Sequence, residues 1–276
     1  MDEENTADAS GLDRSVRPQE RVAIVTGGGR GLGRAMALGL AGAGFRVLIT
    51  AAREGEELAK VTAEGAGRIH PLQADVTRED DCARVVEAAL ARFGRLDVLV
   101  NNAGRGMKYV SQEFLTRPTR FWEVEPAVFR MVIDTNVNGP FLMARAAVAP
   151  MLRAGRGRIV NVSMNRETMR RAGFSPYGPS KAALESETAI WAQDLDGTGI
   201  TVNALLPGGA TETGMIPDGV PAQVRASLLR PEIMVPPLLW LASAASDGVT
   251  GRRLIANRWR NESPPPQDAF ESAGPG

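Results

Sequence analysis

Tyr177 and Lys181 are the two residues of this chain whose types and spacing most directly suggest chemistry. They stand at i and i+4, so on a helix they share one face. Pro179 is tolerated only in a first helical turn, which puts Tyr177 at the helix start. A phenol with an ordinary pKa of about 10 is a poor base at neutral pH, and a nearby ammonium lowers that pKa. The pair predicts a tyrosine general acid or base, and the alternative is an ordinary pair on a solvated helix.

A glycine-rich turn, TGGGRGLG at residues 26–33, lies far upstream of that pair. It follows a short apolar run and precedes an Ala/Leu-rich segment. Glycines after a buried strand let the backbone approach a pyrophosphate, and the next helix directs its amino-terminal N–H groups toward the phosphates. We expect cofactor contacts at Gly27, Arg30, Gly31, Leu32 and Gly33. The alternative is a tight turn that binds no ligand.

The end of the second predicted strand reads Ala51-Ala52-Arg53 and carries no carboxylate. An acidic residue at that place would bind the ribose 2′-hydroxyl of NAD, whereas arginines suit the 2′-phosphate of NADP. Arg30 and Arg53 therefore favour NADP(H) over NAD(H), unless both are solvated surface charges.

Asp75 and Val76 follow the third predicted strand and form a further candidate cofactor contact. The aspartate could accept a hydrogen bond from an adenine amino group. It could equally cap a helix that begins near Thr77 and Arg78.

Short apolar strands alternate with helical segments along the chain. We predict strands at 21–26, 45–50, 68–73, 96–100, 157–162, 200–206 and 252–256. We predict helices at 32–43, 54–64, 83–93, 126–153, 176–195 and 236–245. The alternation indicates an α/β fold, a single Rossmann-type doubly wound domain whose parallel sheet has about seven strands flanked by helices. It should span 19–260, between a leader at 1–18 and a Pro-rich tail at 261–276 that we expect to be disordered.

Composition and charge exclude several other classes of protein. Lysine plus arginine and aspartate plus glutamate each number 32 in 276 residues, so charge gives no reason to expect nucleic acid or an anionic membrane as a partner. No apolar run is long enough to span a membrane, and the first residues lack the apolar core of a signal peptide. The single cysteine, Cys82, fits a reducing compartment, so we expect a cytoplasmic protein, and we expect no metal site.

The motifs of the chain occur together in an order that resembles a known family. They are the turn at 26–33, Asn101-Asn102-Ala103-Gly104, Asn136, the strand end at 160–164, Tyr177-x-x-x-Lys181 and Pro207-Gly208. As a set they resemble the short-chain dehydrogenase/reductase family of classical type. The resemblance covers about residues 20–257.

The resemblance implies a role for each of these residues. Tyr177 would protonate a carbonyl oxygen in reduction or take the proton in oxidation, and Lys181 would hold the nicotinamide ribose and lower the tyrosine pKa. Asn136 would anchor a water in a proton relay, and its alternative is a helix asparagine that bonds its own backbone. Further cofactor contacts would come from Asn101, Asn102, Ala103, Gly104, Pro207, Gly208 and Thr213. Asn101 and Asn102 could equally be plain strand-end caps. A homotetramer or homodimer built on helices 126–153 and 176–195 is also implied.

One motif departs from the family pattern. The family usually has a serine thirteen residues before the tyrosine, where this chain has Met164; Ser163 lies one residue further back. Neighbouring strand side chains point to opposite faces, so the difference matters. We expect a bend at the strand end to present Ser163 as the catalytic hydroxyl. Otherwise the hydroxyl is absent, and Arg166, Arg170 or Arg171 could replace the donor or bind an anionic substrate.

Two segments, 105–125 and 208–234, should form the substrate pocket. They carry large apolar side chains: Tyr109, Phe114, Phe121, Trp122, Met215 and Ile216. An apolar pocket indicates a hydrophobic alcohol or ketone, unless these side chains only pack the loops. The last strand ends in Asn257-Arg258-Trp259, where the family commonly has an acidic residue and two glycines. Trp259 could close a pocket or pack in the core or an interface.

Two functions of different classes are consistent with the sequence. The first is an NAD(P)(H)-dependent oxidoreductase that interconverts a secondary alcohol and a ketone on an apolar small molecule, with Tyr177 as general acid/base. The second is a nucleotide-binding sensor or regulatory protein on the same fold, its catalysis weakened by Met164. Asn136, Tyr177 and Lys181 favour the first.

Overall fold

The chain folds around one mostly parallel sheet. The computed structural model describes residues 20–53, 55–217, 219–260, 262 and 265–274. Within these ranges the sheet contains β1 (Val22–Thr26), β2 (Arg46–Ala51), β3 (Ile69–Gln73), β4 (Val98–Asn101), β5 (Gly157–Val162), β6 (Ile200–Leu206), β7 (Arg252–Ile255) and β8 (Phe270–Ser272). Their order is β3-β2-β1-β4-β5-β6-β7-β8, and all neighbours are parallel except β8, which runs antiparallel to β7.

Helices cover both faces of the sheet. Over the described ranges they are α1 (Gly31–Gly42), α2 (Gly55–Glu64), α3 (Glu79–Phe93), α4 (Pro126–Ile133), α5 (Gly139–Ala154), α6 (Arg166–Met169), α7 (Tyr177–Asp194), α8 (Ala222–Ala226) and α9 (Val235–Leu241). Helices α1 and α9 bury Met36, Leu40 and Leu238 in the core on one face. Helices α3 and α5 bury Val85 and Met151 in the core on the other. The predicted doubly wound α/β fold is confirmed.

The strand order reverses between β1 and β4. Val25 of β1 pairs with Ile49 of β2 on one side and with Val100 of β4 on the other. All five residues of β1 are buried, as expected of a central parallel strand. Loops that leave the carboxyl ends of such neighbouring strands diverge and open a crevice, which is where ligands bind in open α/β sheets.

The predicted helix at 126–153 is interrupted by one wide turn. Helix α4 ends at Ile133, a π-helical turn occupies Asp134–Asn138, and α5 follows at once. A π turn inserts an extra residue that hydrophobic periodicity does not reveal, and such turns often lie at functional sites. Asn136 lies within it.

The prediction of a disordered tail at 261–276 is wrong for most of the tail that the structure describes. Residues Gln267–Ala269 form a 3-10 turn, and β8 pairs with β7. Three rings drive this packing: Phe270 lies 5.6 Å from Trp240 and 6.3 Å from Trp259, centroid to centroid. The tail has few apolar residues, but Ala269 is fully buried and Phe270 packs against the core.

The leader predicted at 1–18 lies outside the described residues. None of the helices in the described ranges combines the length and the apolar character that crossing a membrane requires.

Candidate active site

The glycine-rich turn joins β1 to the amino end of α1. Gly27 and Gly31 have φ values of 64° and 52°, a region that favours glycine. A Cβ on Gly33 would lie only 2.1 Å from the carbonyl oxygen of Gly27, so a side chain cannot fit there. In the described chain, no side chain caps α1 and its first turn holds no acidic residue. The amino-terminal N–H groups of α1 are thus suited to bind an external anion such as a pyrophosphate.

Asn102 and Thr26 hold the ends of β1 and β4 together. The amide of Asn102 donates to the carbonyl oxygens of Thr26 and Gly27, at 2.9 and 3.1 Å. The hydroxyl of Thr26 accepts from the backbone N–H groups of Asn102 and Ala103, both at 3.0 Å. The Asn102 side chain therefore supports the glycine turn, as the strand-end alternative predicted. This support places Ala103 beside the turn, because a Cβ on Gly27 would lie 2.9 Å from the Ala103 Cα.

Asn101 makes different contacts from its neighbour. Its amide donates to Asn161 at 2.9 Å, and its side chain is 2 % exposed. Asn161 in turn donates to Thr188 of α7. Asn101 thus connects β4 to β5 within the sheet.

The loop after β6 crosses the glycine turn. A Cβ on Gly31 would lie 3.2 Å from the Cβ of Thr213, which brings Thr213 beside the amino end of α1. Gly208 has a φ of 88°, and its carbonyl oxygen accepts from Asn165 at 3.1 Å and Asn257 at 3.0 Å. The structure therefore brings Thr213 beside the glycine turn and ties Gly208 to Asn165 and Asn257.

Asn257 is a site residue that sequence reasoning noted only as a departure. Its backbone N–H donates to the carbonyl oxygen of Pro207 at 3.0 Å, and its side chain bonds Gly208. A Cβ on Gly208 would lie 2.0 Å from the Asn257 side chain. Asn257 therefore holds the Pro207-Gly208 turn.

Arg30 and Arg53 lie where the adenosine ribose is expected. The Arg30 guanidinium is 3.5 Å from the carboxylate of Glu57 in α2, and its side chain is 54 % exposed. Arg53 is exposed just beyond β2. Glu57 was not predicted, because nothing in the sequence shows that α2 places it against Arg30. A phosphate at this position would compete with Glu57 for Arg30.

One oxygen of the Asp75 carboxylate, Oδ1, is bound within its own turn. It accepts hydrogen bonds from the backbone N–H and the hydroxyl of Thr77, at 3.0 and 2.8 Å. Helix α3 begins later, at Glu79, so Asp75 caps a local turn rather than a helix. Val76 is buried against α5, where a Cβ on Gly139 would lie 2.8 Å from it.

Tyr177 and Lys181 share one face of the first turns of α7. The Lys181 Nζ lies 5.9 Å from the centre of the Tyr177 ring and donates to the carbonyl oxygen of Val162 at 2.7 Å. Lys181 is 4 % exposed. Burial lowers the pKa of Lys181 to about 8, although the negative charge of Glu185 opposes that change. Burial raises the pKa of Tyr177 to about 12, so the phenol keeps its proton at neutral pH.

Asn136 fixes the segment that follows β4. Its side-chain oxygen accepts from the Arg105 N–H at 2.8 Å, and its amide donates to the Arg105 carbonyl and the Ser180 hydroxyl, both at 3.0 Å. The hydroxyl of Ser180 donates to the carbonyl of Tyr177. Asn136 does not bond its own helix through its side chain. It links the 105 segment to the start of α7, and Gly104 lies beside it.

The Ser163 hydroxyl has a partner that the sequence did not predict. It donates to the carboxylate of Glu185 at 2.5 Å, and Ser163 and Glu185 are 4 % and 0 % exposed. Ser163 directly follows β5, and this bond to Glu185 of α7 commits its hydroxyl to a buried carboxylate. A Ser163-assisted tyrosine would require that bond to be exchanged for one to the substrate, so the assignment stays a prediction.

Met164 takes the serine register and belongs to an apolar cluster. The buried members of this cluster, which we call the methionine wall, are Met107, Phe114, Met164, Met169 and Phe174. Tyr177 packs against it. The residues that pack beside Tyr177 here are therefore thioethers and rings rather than a hydroxyl.

The aromatic residues of 105–125 separate into two groups. Phe114 is buried and lies 6.0 Å from Phe174 in an edge-on contact, so it belongs to the methionine wall. Phe121 and Trp122 are 72 % and 68 % exposed and contact each other, and Tyr109 is 45 % exposed. Of these four predicted pocket residues, Phe114 alone is placed beside Tyr177 within the described chain.

Two arginines of the loop after β5 have partners other than Tyr177. Arg166 donates to the carbonyl oxygens of Ser272 and Gly274, and Arg171 lies over the Phe174 ring. Trp259 packs with Trp240 at 5.5 Å, which is the core alternative of the prediction. Across the described residues, no group of His, Cys, Asp and Glu side chains could hold a metal ion.

Comparisons with known proteins agree with this geometry. A family model described as short chain dehydrogenase matches residues 21–222. The cis-4-hydroxycyclohexanecarboxylate dehydrogenase of Sinomonas cyclohexanicum is 36% identical over 249 residues, 86% of this chain and 95% of that protein. The 3-oxoacyl-[acyl-carrier-protein] reductase FabG of Thermotoga maritima is 32% identical over 248 residues, 86% of this chain and 96% of its own.

A solved structure shows the same arrangement of the chain. The crystal structure of the 3-ketoacyl-(acyl-carrier-protein) reductase from Brucella melitensis, complexed with NADH, superposes with a TM-score of 0.75 at 30% identity. The match covers 85% of this chain and 95% of that one. The chain therefore belongs to the short-chain dehydrogenase/reductase family, whose members are NAD(P)-dependent oxidoreductases acting on CH–OH groups.

Proposed function

We propose that the protein interconverts a ketone and a secondary alcohol on an apolar small molecule, with Tyr177 as the general acid/base. The observation that carries this proposal is the Tyr177–Lys181 pair beside the methionine wall. A reduced nicotinamide, when bound, supplies the hydride. Because burial raises the pKa of Tyr177 to about 12, its phenol is protonated at neutral pH and can donate to a carbonyl oxygen.

Lys181 would assist the same proton transfer beside Tyr177. An ammonium has three N–H donors, and the carbonyl oxygen of Val162 takes one of them. The others can bind ribose hydroxyls. Its charge also favours the phenolate that remains after Tyr177 donates its proton. Asn136 would support this end of the crevice by fixing the Arg105 backbone and Ser180.

The cofactor we propose is NADP(H) in preference to NAD(H). Arg53 lies just beyond the end of β2, and Arg30 lies in the glycine turn. Arg30 pairs with the carboxylate of Glu57, which a phosphate could displace. The amino end of α1 would hold the pyrophosphate, with Thr213 covering it.

The relatives suggest a substrate class. One is named for a hydroxylated cyclohexane carboxylate and others for 3-oxoacyl groups on a carrier protein. A small cyclic or aliphatic ketone is consistent with the methionine wall. We further propose a homotetramer or homodimer in the cytoplasm, since the relatives' family forms oligomers and the one cysteine is free.

A nucleotide-binding sensor remains a second candidate because Met164 occupies the serine register. The deciding experiment is an assay of NADPH and NADH oxidation across a panel of cyclic, aliphatic and aromatic ketones and quinones, beside cofactor binding measured by fluorescence. Turnover with NADPH supports the enzyme. Tight cofactor binding with no turnover in either direction, restored by Met164→Ser, supports the sensor.

A further inference from the structure

We propose that Glu271 of β8 is a positioning residue for the active site, acting through Arg253 and Arg166. The inference rests on the proposed function, since it concerns the same reaction. On this proposal, β8 helps to position the residues beside Tyr177 in addition to extending the sheet.

The end of β5 is held at three successive residues. The Val162 carbonyl accepts from Lys181 at 2.7 Å, and the Ser163 hydroxyl donates to Glu185. The Met164 carbonyl accepts from Arg253 at 2.7 Å. Arg253 makes the link to Met164 itself. It also supports the link to Ser163, because it binds Glu185. The backbone beside Tyr177 is thus set by side chains from α7 and β7.

Arg253 is buried, and each nitrogen of its guanidinium donates to a partner. Its side chain is 2 % exposed. Its Nε donates to both oxygens of Glu185, at 2.8 and 3.0 Å, its Nη2 bonds Met164, and its Nη1 bonds Glu271 of β8. A buried cation needs every such partner, because an unpaired charge in the interior is strongly unfavourable. Glu271 therefore helps fix the direction in which Arg253 reaches the end of β5.

Glu271 also connects β8 to the loop that carries the methionine wall. Its carboxylate lies 3.4 Å from Arg166 and 3.3 Å from Arg258. Arg166 begins α6 and donates to the carbonyl oxygens of Ser272 and Gly274, at 2.8 and 3.1 Å. The same short helix ends at Met169, a member of the methionine wall. One carboxylate thus ties together the backbone of Met164 and the segment that lines the pocket.

The decisive variant is Glu271→Gln, which keeps the shape of the side chain and removes its charge. We expect kcat for ketone reduction to fall about ten- to a hundredfold, because displaced reacting groups cost rates of that order. The cofactor Kd should stay unchanged, since the glycine turn lies across the crevice. Glu271→Asp should recover part of the loss. The matched control is Glu262→Gln, an exposed glutamate of the same tail that pairs with Arg260 and should behave as wild type.

Hydrogen exchange gives a readout that needs no substrate. In Glu271→Gln, amides of residues 163–174 should exchange faster, while those of β1 and α1 stay as in wild type. In Arg166→Gln, Arg253 keeps its partners Glu185 and Glu271. We therefore expect faster amide exchange across 166–174 alone. The proposed function fails if the wild-type protein shows no turnover, or if Tyr177→Phe keeps the wild-type turnover. In either case the hydrogen-exchange measurement still decides whether Glu271 positions residues 163–174. Unchanged kcat or unchanged exchange at 163–174 in Glu271→Gln would overturn the proposal.

Discussion

The Ser163 hydroxyl donates to the Glu185 carboxylate, and Glu185 is in turn held by both of its oxygens to Arg253. Ser163 is therefore a partner of a buried ion pair. The residue beside Tyr177 in the expected serine register is Met164, within the methionine wall. Catalysis in this protein is thus expected to depend on Tyr177 and Lys181 without a serine hydroxyl.

Ser163→Ala should affect stability more than turnover. Removing the hydroxyl leaves part of the buried Glu185 carboxylate without its donor, and we expect the free energy of unfolding to fall by about 1–3 kcal/mol. The kcat should change less than about tenfold, whereas loss of a catalytic hydrogen-bond donor costs about 10²–10³. Urea denaturation and steady-state kinetics check both. A hundredfold loss of kcat in a folded variant would return Ser163 to the catalytic set.

Met164→Ser should lower the stability of the protein and raise its turnover. It removes a buried thioether from the methionine wall, which should lower the free energy of unfolding by about 2–4 kcal/mol. It also supplies a donor beside Tyr177, so kcat/KM for a small ketone should rise by about tenfold if the variant stays folded. Met164→Ala is the control, because it removes the thioether and adds no hydroxyl. Equal activity of the two variants would contradict this account of position 164.

Charge changes near the end of β2 should alter cofactor preference. Arg30→Ala and Arg53→Ala should each raise KM for NADPH by about tenfold or more, because a charged hydrogen bond contributes about 1.5–3 kcal/mol. Neither should change KM for NADH. Glu57→Gln should lower KM for NADPH, because it frees Arg30 from its carboxylate partner. Equal effects on both cofactors would show that these arginines do not recognise a 2′-phosphate.

The pH dependence of reduction should report Lys181. Its pKa is lowered to about 8, so its ammonium is lost as pH rises through about 8, and kcat/KM should fall above that value. Tyr177, with its pKa raised to about 12, stays protonated over the same range and adds no limb. Glu185→Gln removes the charge that supports the ammonium, so the limb should move to lower pH. A profile that stays flat to about pH 10 would contradict the assignment.

Much of the fold was predictable because it depends on local patterns. Continuous apolar runs such as β1 and the alternation with helices identify a parallel sheet. The glycine turn, Tyr177 and Lys181 could be found because their chemistry needs fixed residue types at fixed spacing. The structure places the glycine turn between β1 and α1, and it places Tyr177 and Lys181 in the first turns of α7.

The rest depends on contacts between segments distant in sequence. The partners of Ser163, Glu185 and Arg253, lie on α7 and β7, and no spacing rule connects them. The tail that contains β8 has few apolar residues, so its composition indicates disorder, although Phe270 packs with Trp240 and Trp259. Backbone pairing with β7 also holds β8 in the sheet.

The central claim is that Tyr177 transfers the proton, and Tyr177→Phe tests it most directly. With the best ketone and NADPH, we expect kcat to fall by at least about 10²-fold, because general acid catalysis contributes about 10²–10⁴. The cofactor Kd, measured by fluorescence, and the free energy of unfolding should stay close to those of wild type, because the phenol makes no hydrogen bond to the glycine turn. Turnover within a few-fold of wild type in a folded, cofactor-binding Tyr177→Phe variant would contradict the account.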